Sequence, residues 1–505
     1  MNMNSNTMLT LNDIAEALLG TALPPEWAGR AITNTVVDSR SVTPGSLFVA
    51  LAGDRTDGHL YLDAAFRAGA IAAIAEERAL QYCEPGATLW PDGSLRLRSS
   101  ETKTDPGGLA RPFIFIVPHS LAALQRAAAH WRAKLPVVTI GITGSVGKTT
   151  TKETAANILS VRYATVRSEG NLNNEIGLPL TLLRLSRKHE RAVLEMGMYA
   201  LGEITELCSW AKPRIGIVTN VGPVHLERLG AIEKIAQAKS ELPRALPPAD
   251  EGGVAILNRD DPLVWTMAGV TRARVISYGL HAEADLWADE IESHGLEGIR
   301  FRCHHGREVY HVRLPMLGRH SVHTALRGAA LGLVEGLSWD EIIRGLQDVR
   351  GQLRLMVVPG LRDTTLIDDT YNASPDSSLA ALNLLRDVAN TSHRAIAVFG
   401  DMHELGAFEE AGHRMVGGRA AQIVQKLVTV GRRARWIAEE ALISGMNLAD
   451  VHPVETNTDA IGILQGLILP GDVVLVKGSR SAAMESIVDA LSRTQGGRTM
   501  GAHKA

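Results

Sequence analysis

The stretch Val137-Val-Thr-Ile-Gly-Ile-Thr-Gly-Ser-Val-Gly-Lys-Thr-Thr150 decides how this chain is read. Residues 137–142 are short, apolar and β-branched, which predicts a buried strand. Glycines 144 and 147 follow, then Lys148, and a helical pattern continues to residue 159. Strand, glycine-bearing loop and helix together aim backbone N–H groups and a positive helix end at phosphate oxygens. In this reading Gly144, Ser145, Val146 and Gly147 wrap the phosphates and Lys148 adds a full charge. Thr149, with Thr150 beside it, offers a hydroxyl to Mg²⁺. The strict pattern asks for glycine at 142, but the chain has Ile142, with Gly141 one place early. A chance Gly-Lys-Thr is the alternative, and the loop alone says nothing of the reaction.

Outward from the loop, strands at 192–196, 215–220 and 254–257 alternate with helices at 150–159 and 231–242, and helices at 324–335 and 340–346 follow. That alternation predicts a largely parallel sheet covered on both faces. A second series has strands at 365–367, 395–399, 427–430 and 473–476 and helices at 377–388, 409–424, 433–444 and 481–491. It predicts an open doubly wound sheet with ligands at the carboxyl ends of its strands. Before the loop, a helix at 11–19 and strands at 35–37 and 47–51 suggest a small separate unit. Residues 84–112, rich in Gly, Pro, Ser and mixed charge, read as an exposed insertion. The expectation is an α/β protein of three domains: 1–117, a small N-terminal α/β domain; 118–348, a central P-loop parallel-sheet ATPase domain; and 349–491, a C-terminal Rossmann-like domain. A disordered tail, 492–505, would follow.

Composition narrows the function classes. At 505 residues the chain exceeds one core. Lys+Arg 52 against Asp+Glu 55 leaves a net charge of -3, and aromatics make up 4%. Neither a basic surface nor a stacking platform for nucleic acid follows from those values. Cys83, Cys208 and Cys303 are far apart and odd in number, which argues against a disulfide framework. No basic-then-apolar leader and no apolar run of about 18 residues is visible. A cytoplasmic protein with no membrane insertion is therefore expected.

Three more residues are chemical candidates. Glu195 ends an apolar strand at the sheet edge that meets ligands, where a carboxylate suits Mg²⁺; a solvated strand-end glutamate is the alternative. His225 follows the next strand and is either a ligand or a structural histidine. Lys239 lies seven residues after Ile232 and four after Ile235, on the buried face of its helix. Burial favours a neutral amine, which can take up CO₂ as an anionic carbamate. The ordinary alternative is a lysine that snorkels its head to water.

Taken together these pieces resemble the Mur ligase family over essentially the whole chain up to Leu491. Residues 143–149 are similar to the family's short phosphate loop, which accounts for the failed strict pattern. Gly170-Asn-Leu-Asn-Asn-Glu-Ile-Gly177, Ile367-Asp-Asp-Thr-Tyr-Asn-Ala-Ser-Pro375, Gly400-Asp-Met-His-Glu-Leu-Gly406 and Val476-Lys-Gly-Ser-Arg-Ser481 resemble further family motifs. Asp38-Ser-Arg40 and Asp57-Gly-His59 resemble the domain that holds a uridine nucleotide. The resemblance implies ATP, two Mg²⁺ ions held by Thr149, Glu195, His225 and Lys239, and an N6-carboxylysine at Lys239. It implies ATP contacts from Arg354 and Asp369, and uridine contacts from Ser39, Arg40, Gly58 and His59. Asn171, Asn173 and Asn174 would face a muramoyl peptide; Tyr371 and Asn372 would line the side of the incoming amine. It further implies a monomer that joins D-alanyl-D-alanine to a UDP-N-acetylmuramoyl tripeptide through an acyl phosphate.

One segment departs from the pattern. In Gly318-Arg-His-Ser-Val-His-Thr-Ala325, Ser321 and Thr324 stand where the family carries two asparagines near the adenine. Neither hydroxyl offers an amide's paired donor and acceptor. Two other functions stay open: an amide ligase of the same superfamily that adds a different amino acid, such as a folylpolyglutamate synthase, and a P-loop nucleotide switch without ligase activity.

Overall fold

The computed structural model describes residues 8–23, 25–53, 56–82, 113–348, 355–390 and 392–493. Arg354, the expected insertion at 84–112, Cys83 and nearly all of the tail lie outside the described residues. The chain divides into two compact units, one of residues 1–141, 163–197 and 205–214, the other of residues 142–162, 198–204 and 215–505.

The first unit opens with helix Leu11–Leu19, started by a reciprocal capping box between Thr10 and Asp13. Strands β1 (Thr35–Val36), β2 (Leu47–Val49), β3 (Ala72–Glu76) and β4 (Phe113–Val117) form an all-parallel sheet in chain order. Phe48, Leu62, Ala73, Ala75 and Ile114 fill its core. The last two strands were absent from the sequence reading. Strand β5 (Val138–Thr143) starts in this unit, where Val138 N–H donates to Glu190 O at 3.0 Å and Arg214 N–H to Thr139 O at 2.9 Å. Strands β6 (Thr165–Arg167) and β7 (Arg191–Glu195) pair in parallel. Arg132, buried in helix Ser120–Ala133, donates to Thr139 Oγ1 and to the carbonyls of Ala211, Leu135 and Val137 at 2.7–3.1 Å. Every arm of that guanidinium is occupied.

In the second unit, strands β8 (Ile215–Val218), β9 (Val254–Asn258) and β10 (Arg274–Gly279) pair in parallel and β11 (Leu286–Ser293) joins β10 in the same sense. Strands β12 (Ile299–His305) and β13 (Glu308–Leu314) then extend the sheet antiparallel. That ribbon corrects the expectation of a simple βα series; over His311–Leu314 its last strand alternates exposed polar and buried apolar residues, as one open face requires. Helix Lys148–Ser160 packs closely on helices Ser321–Val334 and Trp339–Gln347, since a side chain at Gly345 would meet Ile158 Cα at 2.4 Å.

The same unit contains a six-stranded sheet in the order β14 (Met356–Pro359), β15 (Thr365–Asp369), β19 (Val473–Lys477), β16 (Ala395–Gly400), β17 (Lys426–Val430), β18 (Val451–Val454). Only β14 runs antiparallel. Apolar clusters cover both faces, with Leu382, Leu385 and Phe399 on one and Ile396, Val398 and Ile487 on the other. The doubly wound expectation holds for this sheet, although β14, β18 and helix Asn457–Leu467 had not been read from the sequence. Among the described residues no helix is long and apolar enough to cross a membrane.

Candidate functional site

The phosphate loop is held by the segment that follows β8. Ser145 N–H donates to Asn220 O at 3.0 Å, and Val146 N–H to Asn220 Oδ1 at 2.9 Å. Thr219 Oγ1 donates to Val146 O at 2.7 Å, while Ser145 Oγ donates to Gly222 O at 3.1 Å. Gly144 has φ +147, and a Cβ there would lie 1.8 Å from Thr219 Oγ1, so only glycine fits. Gly147, at φ +84, caps helix Lys148–Ser160 without any side-chain bond of its own. Lys148 folds back along the loop, its Nζ donating to Gly144 O at 2.8 Å. Thr219 and Asn220 were not among the sequence candidates. Their role depends on which strand neighbours the loop, and spacing along the chain does not reveal that.

Lys239 is 2% exposed, at the last residue of helix Ile232–Lys239. This helix stops earlier than the expected 231–242 because Pro243 has no N–H for the carbonyl of residue 239 and its ring crowds that carbonyl. A second short helix, Glu241–Ala245, follows. Burial so deep removes the snorkelling alternative. Among the described residues no carboxylate lies within ion-pair distance of its amine. Burial first, and the charge of Lys148 second, push that amine well below the ordinary lysine range. The same influence places Lys239 and the phosphate-loop lysine in one electrostatic environment.

His225 sits at φ +58 and caps helix Leu226–Leu229. Its Nδ1 lies 2.6 Å from Glu404 Oε2 but out of line for a hydrogen bond. The imidazole beside Glu404 holds that carboxyl below the usual range. Glu404 is also left-handed, at φ +65. Two strained non-glycine residues in contact mark a place where geometry serves more than stability. The ring of Tyr199 meets His225 edge-on at 5.1 Å. A cleft of about 460 Å³ adjoins this contact, lined by Leu226, Glu227, Gly230, Gly406, Ala407 and Phe408. Among the described residues no three His, Cys, Asp or Glu side chains form a group that could hold a metal.

In the first unit Glu195 is 2% exposed, against the solvated alternative. Asn173 Nδ2 donates to Glu195 Oε1 at 2.9 Å, and Gly197 N–H donates to Asn173 O at 2.8 Å. The structure therefore brings Asn173 and Glu195 together. Asn174 serves the turn, its Oδ1 accepting from Gly177 N–H at 2.9 Å, and Asn171 is exposed. Near the N-terminus His59 is fully buried: Nδ1 contacts Asp57 Oδ1 at 2.5 Å and Nε2 accepts from Glu76 N–H at 2.9 Å. Both ring nitrogens are used inside the fold. Gly58 packs under Leu51, Ser39 starts a short turn, and Arg40 pairs with Asp38 at 2.6 Å while staying exposed.

At the carboxyl edge of the six-stranded sheet three of the sequence motifs converge. Lys477, 1% exposed, bonds Asp369 Oδ2 at 2.7 Å and Asn372 O at 2.8 Å. Ser479 N–H donates to Asp401 O at 3.1 Å, and His403 N–H to Ser479 Oγ at 3.0 Å. The Arg480 guanidinium lies 5.4 Å from the Tyr371 ring centre. Lys477 and Glu404 lay inside quoted motifs without being singled out; Asp369 on the neighbouring strand identifies the first and His225 the second.

The departing segment forms the start of helix Ser321–Val334. Ser321 Oγ donates to Leu317 O at 2.6 Å and Thr324 Oγ1 accepts from Arg327 Nη2 at 2.6 Å, so both hydroxyls are engaged within the fold. His323 Nε2 lies 2.7 Å from Asp260 Oδ2.

Known proteins give this geometry a family. The Mur ligase middle domain matches residues 142–332, the Mur ligase glutamate ligase domain residues 353–480, and the Mur ligase family catalytic domain residues 31–89. UDP-N-acetylmuramoyl-tripeptide–D-alanyl-D-alanine ligases of Mycobacterium tuberculosis and Escherichia coli are 36% and 35% identical to this chain. Each alignment covers 96% of it, with 97% and 98% of the relative. Among solved structures, MurF of Acinetobacter baumannii superposes with a TM-score of 0.77 at 29% identity, over 95% of this chain and 98% of that one. MurF of Thermotoga maritima, solved in complex with ADP, gives 0.72 at 26%, over 91% and 97%. The three-domain α/β architecture and the loop it positions are those of an ATP-dependent amide ligase, and the chain belongs to the Mur ligase family.

Proposed function

We propose that this ligase joins D-alanyl-D-alanine to UDP-N-acetylmuramoyl-tripeptide in the cytoplasm as a monomer, completing the peptide of a peptidoglycan precursor. The observation that carries the reading is similarity over 96% of the chain to ligases named for that reaction. The C-terminal carboxylate of the tripeptide attacks the γ-phosphorus of ATP, the bond to the bridging oxygen breaks, and ADP leaves. The amine of D-alanyl-D-alanine then attacks the acyl carbon, loses a proton, and expels phosphate as the amide forms. The loop backbone of residues 144–147, Lys148 and the N-terminus of helix Lys148–Ser160 would cradle the charge that moves to the β-phosphate. Residues 1–117 would hold the uridine nucleotide through Ser39, Arg40 and Gly58, with His59 bracing that loop from within. Residues 118–348 would hold ATP. Residues 349–491 would receive the amine beside Tyr371 and Asn372, with Arg354 and Asp369 reaching the nucleotide. Asn171, Asn173 and Asn174 would face the peptide.

Two residues have chemistry suited to Mg²⁺, although the side chains as they stand do not form a metal group among the described residues. Lys239 is a buried amine with no carboxylate at ion-pair distance among the described residues, the state that reacts with CO₂, and His225 Nδ1 is a buried nitrogen without a hydrogen bond. Thr149, Glu195, His225 and a carbamylated Lys239 would hold two ions. These would neutralise phosphate charge when bound. An acceptor screen with product masses tests the substrate assignment: D-alanyl-D-alanine should give the pentapeptide product, whereas a preference for a single amino acid would move the chain to another branch of the family.

A further inference from the structure

Arg327 is 4% exposed on the inner face of helix Ser321–Val334. Unlike Arg132, whose arms all reach carbonyl or hydroxyl oxygens, Arg327 has one short bond, from Nη2 to Thr324 Oγ1. Nη1 reaches Tyr278 Oη only at 3.5 Å, and Nε is buried with no partner. Of the neighbouring carboxylates, Asp260 takes His323 and Leu280 N–H on Oδ2 and keeps Oδ1 buried without a hydrogen bond, while Asp261 takes Val221, Leu263 and Val264 N–H. Among the described residues no carboxylate lies within ion-pair distance of this guanidinium. A buried cation in that state needs an anion from outside the fold.

Its position shows which anion. A Cβ added at Gly147 would lie 3.0 Å from Arg327 Nη2, so the guanidinium stands against the last glycine of the phosphate loop. Gly147 begins helix Lys148–Ser160, whose positive end faces the same region. Two positive features meet there. The His320 ring registers the same field: its pKa is lowered to about 4, through desolvation by the atoms around it first and the charge of Arg327 second. The Thr324 hydroxyl is spent on orienting Arg327.

We infer that Arg327 is a nucleotide-binding residue of this chain, a guanidinium that Thr324 steers onto the phosphate chain of the bound nucleotide beside Gly147. The inference rests on the ATP use proposed above. It gives Arg327 the work of fixing the nucleotide at the segment where Ser321 and Thr324 are turned inward.

The test is calorimetric titration of the full-length protein and of Arg327→Met and Arg327→Lys with Mg-ADP and with adenosine, together with melting temperatures of the free proteins. Arg327→Met should weaken ADP about tenfold or more, leave adenosine unchanged, and melt no lower than the parent, because it removes an uncompensated charge. Arg327→Lys should lose part of the ADP affinity, since charge remains and the fork does not. ADP affinity unchanged in either variant, equal losses for ADP and adenosine, or a collapsed fold in Arg327→Met would each overturn the inference. A parent protein that binds ADP without ligating D-alanyl-D-alanine would leave it standing; a parent that binds no ADP would instead remove the nucleotide reading itself.

Discussion

Lys239 and Lys477 are buried almost equally, at 2% and 1% exposure, and they differ in what surrounds them. Lys477 ends β19 with Asp369 at 2.7 Å and a carbonyl behind it, so its charge is matched by the fold. Lys239 ends a helix with no carboxylate at ion-pair distance among the described residues, and the charge that acts on it is that of another lysine, Lys148. A fold gains nothing in stability from the second arrangement, because an unpaired buried cation is costly. The difference teaches that Lys477 is part of the architecture at the C-terminal sheet edge, whereas Lys239 is held as a reactive amine at the expense of the fold.

Arginine separates the two most sharply, because it keeps a charge and cannot take up CO₂. Lys239→Arg and Lys239→Ala should each lower the turnover number by about a thousandfold, the scale of losing a main electrostatic support of the transition state. Small carboxylates should rescue part of the activity of Lys239→Ala. Wild-type turnover in either variant would erase the contrast. Next in size, Lys477→Met should cost about 3 kcal/mol in urea unfolding by removing the cation paired with Asp369, and adding Asp369→Asn should restore most of it. A Lys477→Met protein as stable as the parent would show that the pair carries no weight.

The smallest effect concerns pH. The pKa of Lys239 in the folded state lies below its unfolded value, so between the two the unfolded chain binds the extra proton. The stability penalty is therefore fully present at low pH and fades as pH rises towards 10.5. Lys239→Met in CO₂-free buffer should be more stable than the parent at pH 7, with the gap closing in alkaline melts. A gap that widens with pH would mean Lys239 is paired after all.

Much of this contrast was legible in the sequence, and for local reasons. Residues 144–150 announce a phosphate loop by spacing alone, and the face of Lys239 follows from its distance to Ile232 and Ile235. The sheet edge bearing Asp369, Asp401 and Ser479 followed from alternating strands and helices. Features that depend on who neighbours whom were hidden: the Thr219 and Asn220 clamp, the contact of Glu404 with His225, and the pairing of Lys477 with Asp369. Arg327 escaped notice because a cation in an apolar helix ordinarily reads as an exposed position. Strands β11 to β13 were missed because their polar alternation was weaker than the surrounding βα rhythm. The expected helix at 231–242 ran too far because hydrophobic spacing outweighed Pro243 in the reading.

The proposed reaction activates a peptide carboxylate with ATP for transfer to a dipeptide amine. ADP release measured with UDP-N-acetylmuramoyl-tripeptide and D-alanyl-D-alanine, each omitted in turn, tests it most directly. Sustained ADP release, one per amide formed, is expected only when both are present. Equal ADP release with either one left out would rule that reaction out.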